Sequence, residues 1–153
     1  MLDIIDITSE TRLGGDELDY KQLSSEQRLK MFKDPKERSI AEYLENKGHI
    51  VVVNKLQGVP GAGRQGDAFV DELKTEFKSL NVNATSSTIR NEVNNSISEE
   101  GQARRFVIDA RGTELTKEEA ERGVFRALGI SRGKVDYIEV IGRDYFFGYA
   151  PKN

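Results

Sequence analysis

Apolar residues recur along this chain with two periods, which separate the segments predicted to be helices from those predicted to be strands. A period near 3.6 residues predicts helices over residues 35–47, 87–101 and 117–130. β-Branched or alternating segments predict strands over residues 49–56, 67–79, 106–109, 135–142 and 144–150. Helices and strands in this order predict an α/β fold, in which a small mixed β-sheet is flanked by helices.

The first long helix carries signals at both of its ends. Asp34 is expected as its N-cap, Pro35 suits the first helical position, and Glu37 stands where a capping box places an acid. Gly48 is expected to end the helix, because glycine adopts the left-handed backbone conformation that often follows a last turn. These signals mark where the main body of the fold begins.

The segment that follows a glycine-rich loop, residues 66–79, predicts a β-hairpin. Asp71 and Glu72 are expected to form its two-residue turn, although this pair lacks the glycine or asparagine that such turns favour. The expected cross-strand pairs are Val70 with Leu73, Phe69 with Lys74, Ala68 with Thr75 and Asp67 with Glu76. The hairpin therefore brings two acidic side chains together near the end of its first strand.

Three charged side chains on one face of this hairpin indicate metal chemistry. Opposed carboxylates of Asp67 and Glu76 would repel each other at the ~4.5–5.5 Å Cβ separation of a cross-strand pair. A divalent cation turns this repulsion into chelation, because Mg²⁺ binds one or two carboxylates together with waters and substrate phosphates. Lys78 projects from the same face, which gives the residue set of a metal-dependent phosphodiesterase. An ordinary cluster of surface charges is the alternative, since 32% of the chain is charged.

Composition limits the other chemistries that the chain can use. It has no cysteine and one histidine, which excludes disulfides and thiol nucleophiles and argues against a Ser-His-Asp enzyme. A metal site would consist mainly of oxygen ligands, which favours Mg²⁺, Mn²⁺ or Ca²⁺. No apolar run approaches the length of a membrane span, and no signal-peptide pattern opens the chain. The 153 residues are interpreted as a lead-in segment over residues 1–34 and one domain over residues 35–153.

The order of these features resembles the PD-(D/E)xK nuclease superfamily. A helix with acidic residues is followed by a strand, a glycine-rich loop, Asp67, and the pair Glu76-x-Lys78. A polar segment, a helix, Gln102 and another strand come next. From about residue 37 to residue 147, the chain resembles the C-terminal nuclease toxin domain of CdiA contact-dependent growth-inhibition proteins, many of which cut tRNA. The resemblance implies a restriction-endonuclease-like core.

The resemblance also implies a role for each matching residue. It makes Asp67 and Glu76 metal ligands, with Mg²⁺ or another divalent cation such as Mn²⁺ as the cofactor, and it makes Lys78 the catalytic lysine. Glu42 on the first helix matches an additional acid near the metal, and Gln102 matches a glutamine at the following helix–strand junction. These five residues form the predicted catalytic set. The chain departs from the family motif directly before Asp67, where a glycine replaces the usual proline.

The function implied by the resemblance is that of a bacterial toxin that hydrolyses nucleic acid, with tRNA as the expected substrate. It implies a cognate immunity protein as partner, export within a larger toxin, and action in the cytoplasm of the target cell. A complete intracellular protein would instead be cytoplasmic, and no membrane contact is expected of the folded domain. Two alternatives stay open: a metal-independent ribonuclease toxin, for which His49 is the one available histidine, and a non-enzymatic immunity or phage-type binding module. Arg111 and Arg143, which follow strands, are candidate phosphate ligands.

Overall fold

The structure, a computed structural model, describes residue 20 and residues 22–55, 67–97, 104–131 and 133–151. Its helices include α1 (Ser25–Lys30), α2 (Pro35–Asn46), α3 (Ser86–Ile97) and α4 (Lys117–Ser131). Its strands include β1 (Val51–Val53), β2 (Ala68–Val70), β3 (Leu73–Ser79), β4 (Arg105–Asp109), β5 (Tyr137–Ile141) and β6 (Phe146–Tyr149). The glycine-rich loop before β2 lies outside the described residues.

The strands form one sheet whose order in space follows their order in the chain. The β3–β4 and β4–β5 pairs are parallel, and the other neighbouring pairs are antiparallel. The two parallel connections run through α3 and α4, as parallel strands require a crossover. The predicted mixed sheet with flanking helices is therefore confirmed. Among the described residues, no helix combines the length and apolar character needed to cross a membrane.

Helices cover the sheet on both faces, and each face has its own apolar core. On one face, α3 and α4 pack against the central strands through residues that include Ile89, Val93, Val124, Phe106, Ile108, Ile138 and Val140. On the other face, α2 packs through residues that include Ile40, Ala41, Leu44, Phe77, Val107 and Ile141. Successive residues of β3 and β4 therefore point to different helical layers, as strand geometry requires.

The hairpin has the predicted register, and its turn is anchored to β1. Asp71 and Glu72 both have positive φ angles, 50° and 72°, which is the geometry of a two-residue hairpin turn. The Asp71 carboxylate accepts a hydrogen bond from the amide of Ile50 at 2.9 Å and lies 2.6 Å from Nδ1 of His49. These bonds outweigh burial and lower the pKa of Asp71. The turn lacks glycine, so this carboxylate supplies the contact that stabilises it.

A buried ion pair connects α1 to α2. The Arg28 guanidinium donates to both carboxylate oxygens of Glu45, at 2.8 and 2.7 Å, and Glu45 also accepts from the amide of Val51 at 2.9 Å. Both side chains of the pair are less than a tenth exposed. Bidentate geometry of this kind fixes orientation as well as adding energy. The described end of the lead-in segment is therefore bonded to the domain.

Replacing Glu72 with glycine tests the cost of the turn. Because φ of 72° is unfavourable for a residue with a Cβ, Glu72→Gly should raise the free energy of unfolding by about 0.5–1 kcal/mol in urea denaturation. Glu72→Ala keeps the Cβ and serves as the matched control, so it should bring no gain. An equal gain in both variants would show that the glutamate side chain, rather than backbone geometry, is unfavourable there.

Candidate active site

Glu76 and Lys78 point from β3 toward the face of the sheet that α3 covers. Their neighbours on β4 are Phe106 and Ile108, whose side chains lie in the core beneath α3. The Nζ of Lys78 lies 3.4 Å from a carboxylate oxygen of Glu76 and 3.7 Å from one of Glu92 on α3. Since Glu76 is buried and Glu92 is partly exposed, the ammonium group lies between the core and the solvent.

Asp67 lies directly before β2, outside the paired residues of the hairpin. Its amide donates to the carbonyl of Thr75 at 3.0 Å, and its Oδ2 accepts a hydrogen bond from the backbone N–H of Phe77 at 2.7 Å. The side chain thus takes the place of a strand carbonyl where β2 has not yet begun, and the N–H of β3 stays paired. The paired residues start at Ala68 opposite Thr75, so the predicted pairing of Asp67 with Glu76 is not part of the ladder.

Two acidic side chains meet at this position. Asp67 is 9% exposed, and its carboxyl group is hydrogen-bonded to that of Glu37 on α2. Burial raises the pKa of Asp67 to about 7, and Glu37 acts in the same direction through its charge and its hydrogen bond. The N–H of Phe77 and the charge of Lys78 oppose this rise. A carboxyl group that titrates near neutral pH in this way is typical of functional sites.

Glu37 is the acid of α2 that reaches Asp67, and the predicted set of residues did not include it. Glu42 lies five residues further on, about 140° around the helix, and its charge acts on Arg111. Ile40, Ala41 and Leu44 form the buried stripe of α2, and Glu37 precedes them by three, four and seven residues. This spacing puts Glu37 on the same face of the helix as the stripe, and it is the sequence signal that could have identified Glu37. Glu37 was omitted because its position suggested a role in the helix cap. In the structure, the Asp34 carboxylate accepts from the amide of Lys36.

Other predicted residues lie apart from this acidic pair. Arg111 donates to both carboxylate oxygens of Asp109 at 2.9 Å and to Oγ of Ser39 at 3.0 Å, so it connects the end of β4 to α2. Arg143 donates to the carbonyl of Arg111 at 3.2 Å. Gln102 lies outside the described residues. The two arginines therefore have structural partners in place of the phosphates that their positions suggested.

The residues at this site suit a hard divalent cation that keeps part of its water shell. Within the described ranges, no group of three or more acidic or histidine side chains is arranged to hold a metal ion by itself. The hydrogen-bonded carboxyls of Asp67 and Glu37 nevertheless supply the one or two carboxylates that Mg²⁺ takes from a protein, the rest being waters and phosphate oxygens. A bound cation would also replace the proton that the Asp67 carboxyl group retains near neutral pH.

Removing the charge of Asp67 should change how stability depends on pH. Its pKa is raised on folding, so its favourable contribution is complete below the unfolded pKa near 4 and is lost as pH rises to about 7. Asp67→Asn keeps an oxygen for the Phe77 amide and cannot ionise. In EDTA, the stability of this variant relative to the original protein should therefore rise by up to about 4 kcal/mol between pH 4 and pH 8.

Urea denaturation at several pH values measures this difference. Asp144→Asn, at an exposed position, serves as the control for the loss of one negative charge. The stability difference between Asp67→Asn and the original protein should change with pH. A constant difference would contradict the burial of the ionisable Asp67 carboxyl group.

Comparison with known proteins places this site within a family. The family model for the contact-dependent growth inhibition CdiA C-terminal domain matches residues 64–145, more than half of the chain, and the match includes Asp67, Glu76 and Lys78. None of the curated proteins matches.

A solved structure shows a similar fold. It is a chain of the CdiA-CT/CdiI toxin and immunity complex from Burkholderia pseudomallei, with a TM-score of 0.58 and 19% sequence identity. The alignment covers 75% of this chain and 82% of that chain. On the extent of the family match, this chain belongs to the contact-dependent growth inhibition CdiA C-terminal domain family and is a bacterial toxin domain.

Proposed function

We propose that this toxin domain is a metal-dependent nuclease that hydrolyses phosphodiester bonds, with tRNA as its substrate. The observation that carries the proposal is the buried carboxyl group of Asp67, which is hydrogen-bonded to Glu37 and acted on by the charge of Lys78. Cleavage of a phosphodiester requires hard oxygen ligands for a divalent cation and a positive charge near the phosphate. These three side chains supply both, and the restriction-endonuclease-like core implied by the family motif is part of the proposal.

Each acid of the site has a proposed role. Asp67 and Glu76 are the proposed metal ligands, and Glu37, which is hydrogen-bonded to Asp67, would hold that ligand in position. The ion, Mg²⁺ or Mn²⁺, would polarise the scissile phosphate and lower the pKa of a bound water. Asp67 gives up its proton when the site is filled, because a metal ligand must be deprotonated. Gln102 and Glu42 remain predictions from the family motif, and we propose Glu37 instead of Glu42 as the acid of α2 that acts at Asp67.

Lys78 is proposed to stabilise the transition state. Its ammonium group would donate to a phosphate oxygen as negative charge builds there, which is the point at which a fixed positive charge is most effective. Glu76 and Glu92 hold that group at 3.4 and 3.7 Å, so its position is set before substrate arrives. Preorganisation of this kind lowers the reorganisation that the reaction would otherwise require.

We also propose a cognate immunity protein as the partner of this domain. The similar chain of known structure was solved as part of a toxin and immunity complex. Delivery as part of a larger secreted toxin, with action in the cytoplasm of the target cell, follows from the role of the family in contact-dependent growth inhibition.

Cleavage of total tRNA by the purified protein tests the proposal. The protein should cut tRNA in Mg²⁺ and not in EDTA, and Lys78→Met should lower the rate by about 10²–10³-fold. Lys30→Met is the control, because Lys30 forms an exposed pair with Glu26. Full activity of Lys78→Met would contradict the assignment, and cleavage that persists in EDTA would favour the metal-independent ribonuclease. Absence of both cleavage and growth arrest on expression would favour the binding module.

The same assay compares Glu37 and Glu42, two of the three acids of α2. Glu37→Gln should lower the cleavage rate at limiting Mg²⁺ by about 10–100-fold, because it removes a carboxylate that contacts a proposed ligand. Glu42→Gln changes the same chemical group on the same helix and should remain within about twofold of the original rate. The reverse order of effects would place Glu42 in the site instead of Glu37.

A further inference from the structure

A cavity lined by both apolar and polar side chains lies on the face of the sheet that carries α2, at the end that holds the hairpin turn. It encloses about 140 Å³. Its polar and aromatic lining includes His49, Asp71, Arg105, Tyr137, Glu139 and Phe146. The volume is small beside the roughly 300–1,000 Å³ of a site for drug-sized ligands, and it suits a single ring system or one side chain. Among the described residues, none of those proposed for catalysis lines it.

Glu139 gives this cavity its unusual chemistry. The residue is 6% exposed, and its Oε1 accepts a hydrogen bond from the hydroxyl of Tyr137 at 3.4 Å. Its Oε2 is buried and has no hydrogen-bond partner within the described part of the chain. Buried carboxylate oxygens are almost always paired in folded proteins, because leaving one unpaired is costly. A buried, unpaired acceptor on a side chain that lines a cavity points to a ligand with an N–H donor.

Tyr137 fills the space beside Glu139 that a side chain at position 148 would take. The partner of Glu139 on β6 is Gly148, which has no side chain on this face. A Cβ at Gly148 would clash with the hydroxyl of Tyr137, so glycine allows this tyrosine to lie against β6. Phe146, two residues earlier on β6, is 41% exposed at the rim of the cavity. The site thus combines a buried acceptor with an accessible aromatic ring.

Positive charges surround the carboxylate and limit the class of ligand. Burial raises the pKa of Glu139, whereas the charges of His49, Arg105 and Lys47 lower it. The Arg105 guanidinium lies 4.6 Å from the ring centroid of Tyr137, and Lys47 Nζ lies 4.9 Å from that of Phe146. A cationic side chain from a partner protein would be repelled by these groups. A neutral ring with N–H donors, attached to an anionic group, would match both the acceptor and the cations.

We propose that this cavity binds one amino-bearing nucleobase of a nucleic acid, with Glu139 accepting from the base and Arg105 and Lys47 near its phosphate. Single-stranded bases are recognised in this way, by stacking on aromatic rings and by hydrogen bonds to their Watson–Crick edges. Cytosine, adenine and guanine present an amino group to such an acceptor. Uracil presents one N–H between two carbonyl oxygens, which a carboxylate repels. If the cavity helps to select the nuclease substrate, that role rests on the proposed nuclease function. The binding of a base to the cavity does not rest on it.

Titration of the ¹⁵N-labelled protein with nucleoside monophosphates tests the proposal by NMR, in EDTA so that no cleavage occurs. CMP, AMP and GMP should shift the amides of Arg105, Tyr137, Glu139 and Phe146 saturably, and UMP should bind at least about fivefold more weakly. Cytidine without phosphate should also bind more weakly than CMP, which tests the cationic rim on the unaltered protein. Glu139→Gln should reduce the preference for CMP over UMP to less than about twofold. Glu118→Gln, on the exposed side of α4, should keep it.

The outcomes separate this inference from the proposed function. Absence of shifts at the cavity with all four nucleotides would overturn the inference, as would shifts produced by N-acetylarginine amide instead. Either result leaves the tRNA cleavage assay unaffected. Nucleotide binding by a protein that does not cleave tRNA would overturn the proposed nuclease and support the cavity.

Discussion

The buried carboxyl group of Asp67 is the interaction on which the candidate site depends. It joins β3 to α2, because it accepts from the backbone of Phe77 on β3, bonds to Glu37 on α2, and is acted on by the charge of Lys78, which is also on β3. The side chain can reach the Phe77 amide because β2 begins only at Ala68, one residue later. A longer β2 would pair that amide with a carbonyl and leave the carboxyl group elsewhere. The short strand is therefore part of the site.

This arrangement is unfavourable at neutral pH, and the rest of the fold offsets it. A carboxyl group with a pKa near 7 resists ionisation, so folding at neutral pH holds two acids together against their repulsion. The Arg28–Glu45 pair holds α2 near its C-terminal end, and the core beneath α2 includes Phe77 of β3. Functional sites commonly hold such unfavourable groups, because the groups become favourable in the bound state.

The sequence predicted the strands and the hairpin register that position the site better than it predicted which acids meet there. A turn at Asp71 fixes the register of the hairpin, and strand alternation then assigns Glu76 and Lys78 to one face. Glu37 was missed because the position of a capping acid coincides with the start of the buried stripe on α2. An acidic residue within a strand, such as Glu139, is typical of a solvent-facing position. Only the assembled sheet, in which Glu139 pairs with Gly148, shows that it lines a cavity. Local patterns predict elements and register, whereas cross-element pairs require the assembled fold.

A direct test of the central claim is the titration of the Asp67 side-chain carboxyl by ¹³C NMR, with and without Mg²⁺. The account predicts a midpoint near pH 7 in EDTA, because burial and Glu37 disfavour the anion. It also predicts a clear decrease of that midpoint in Mg²⁺, because the cation favours the deprotonated ligand. A midpoint near pH 4 under both conditions, the ordinary value for an exposed aspartate, would contradict both the burial of Asp67 against Glu37 and the proposed metal site.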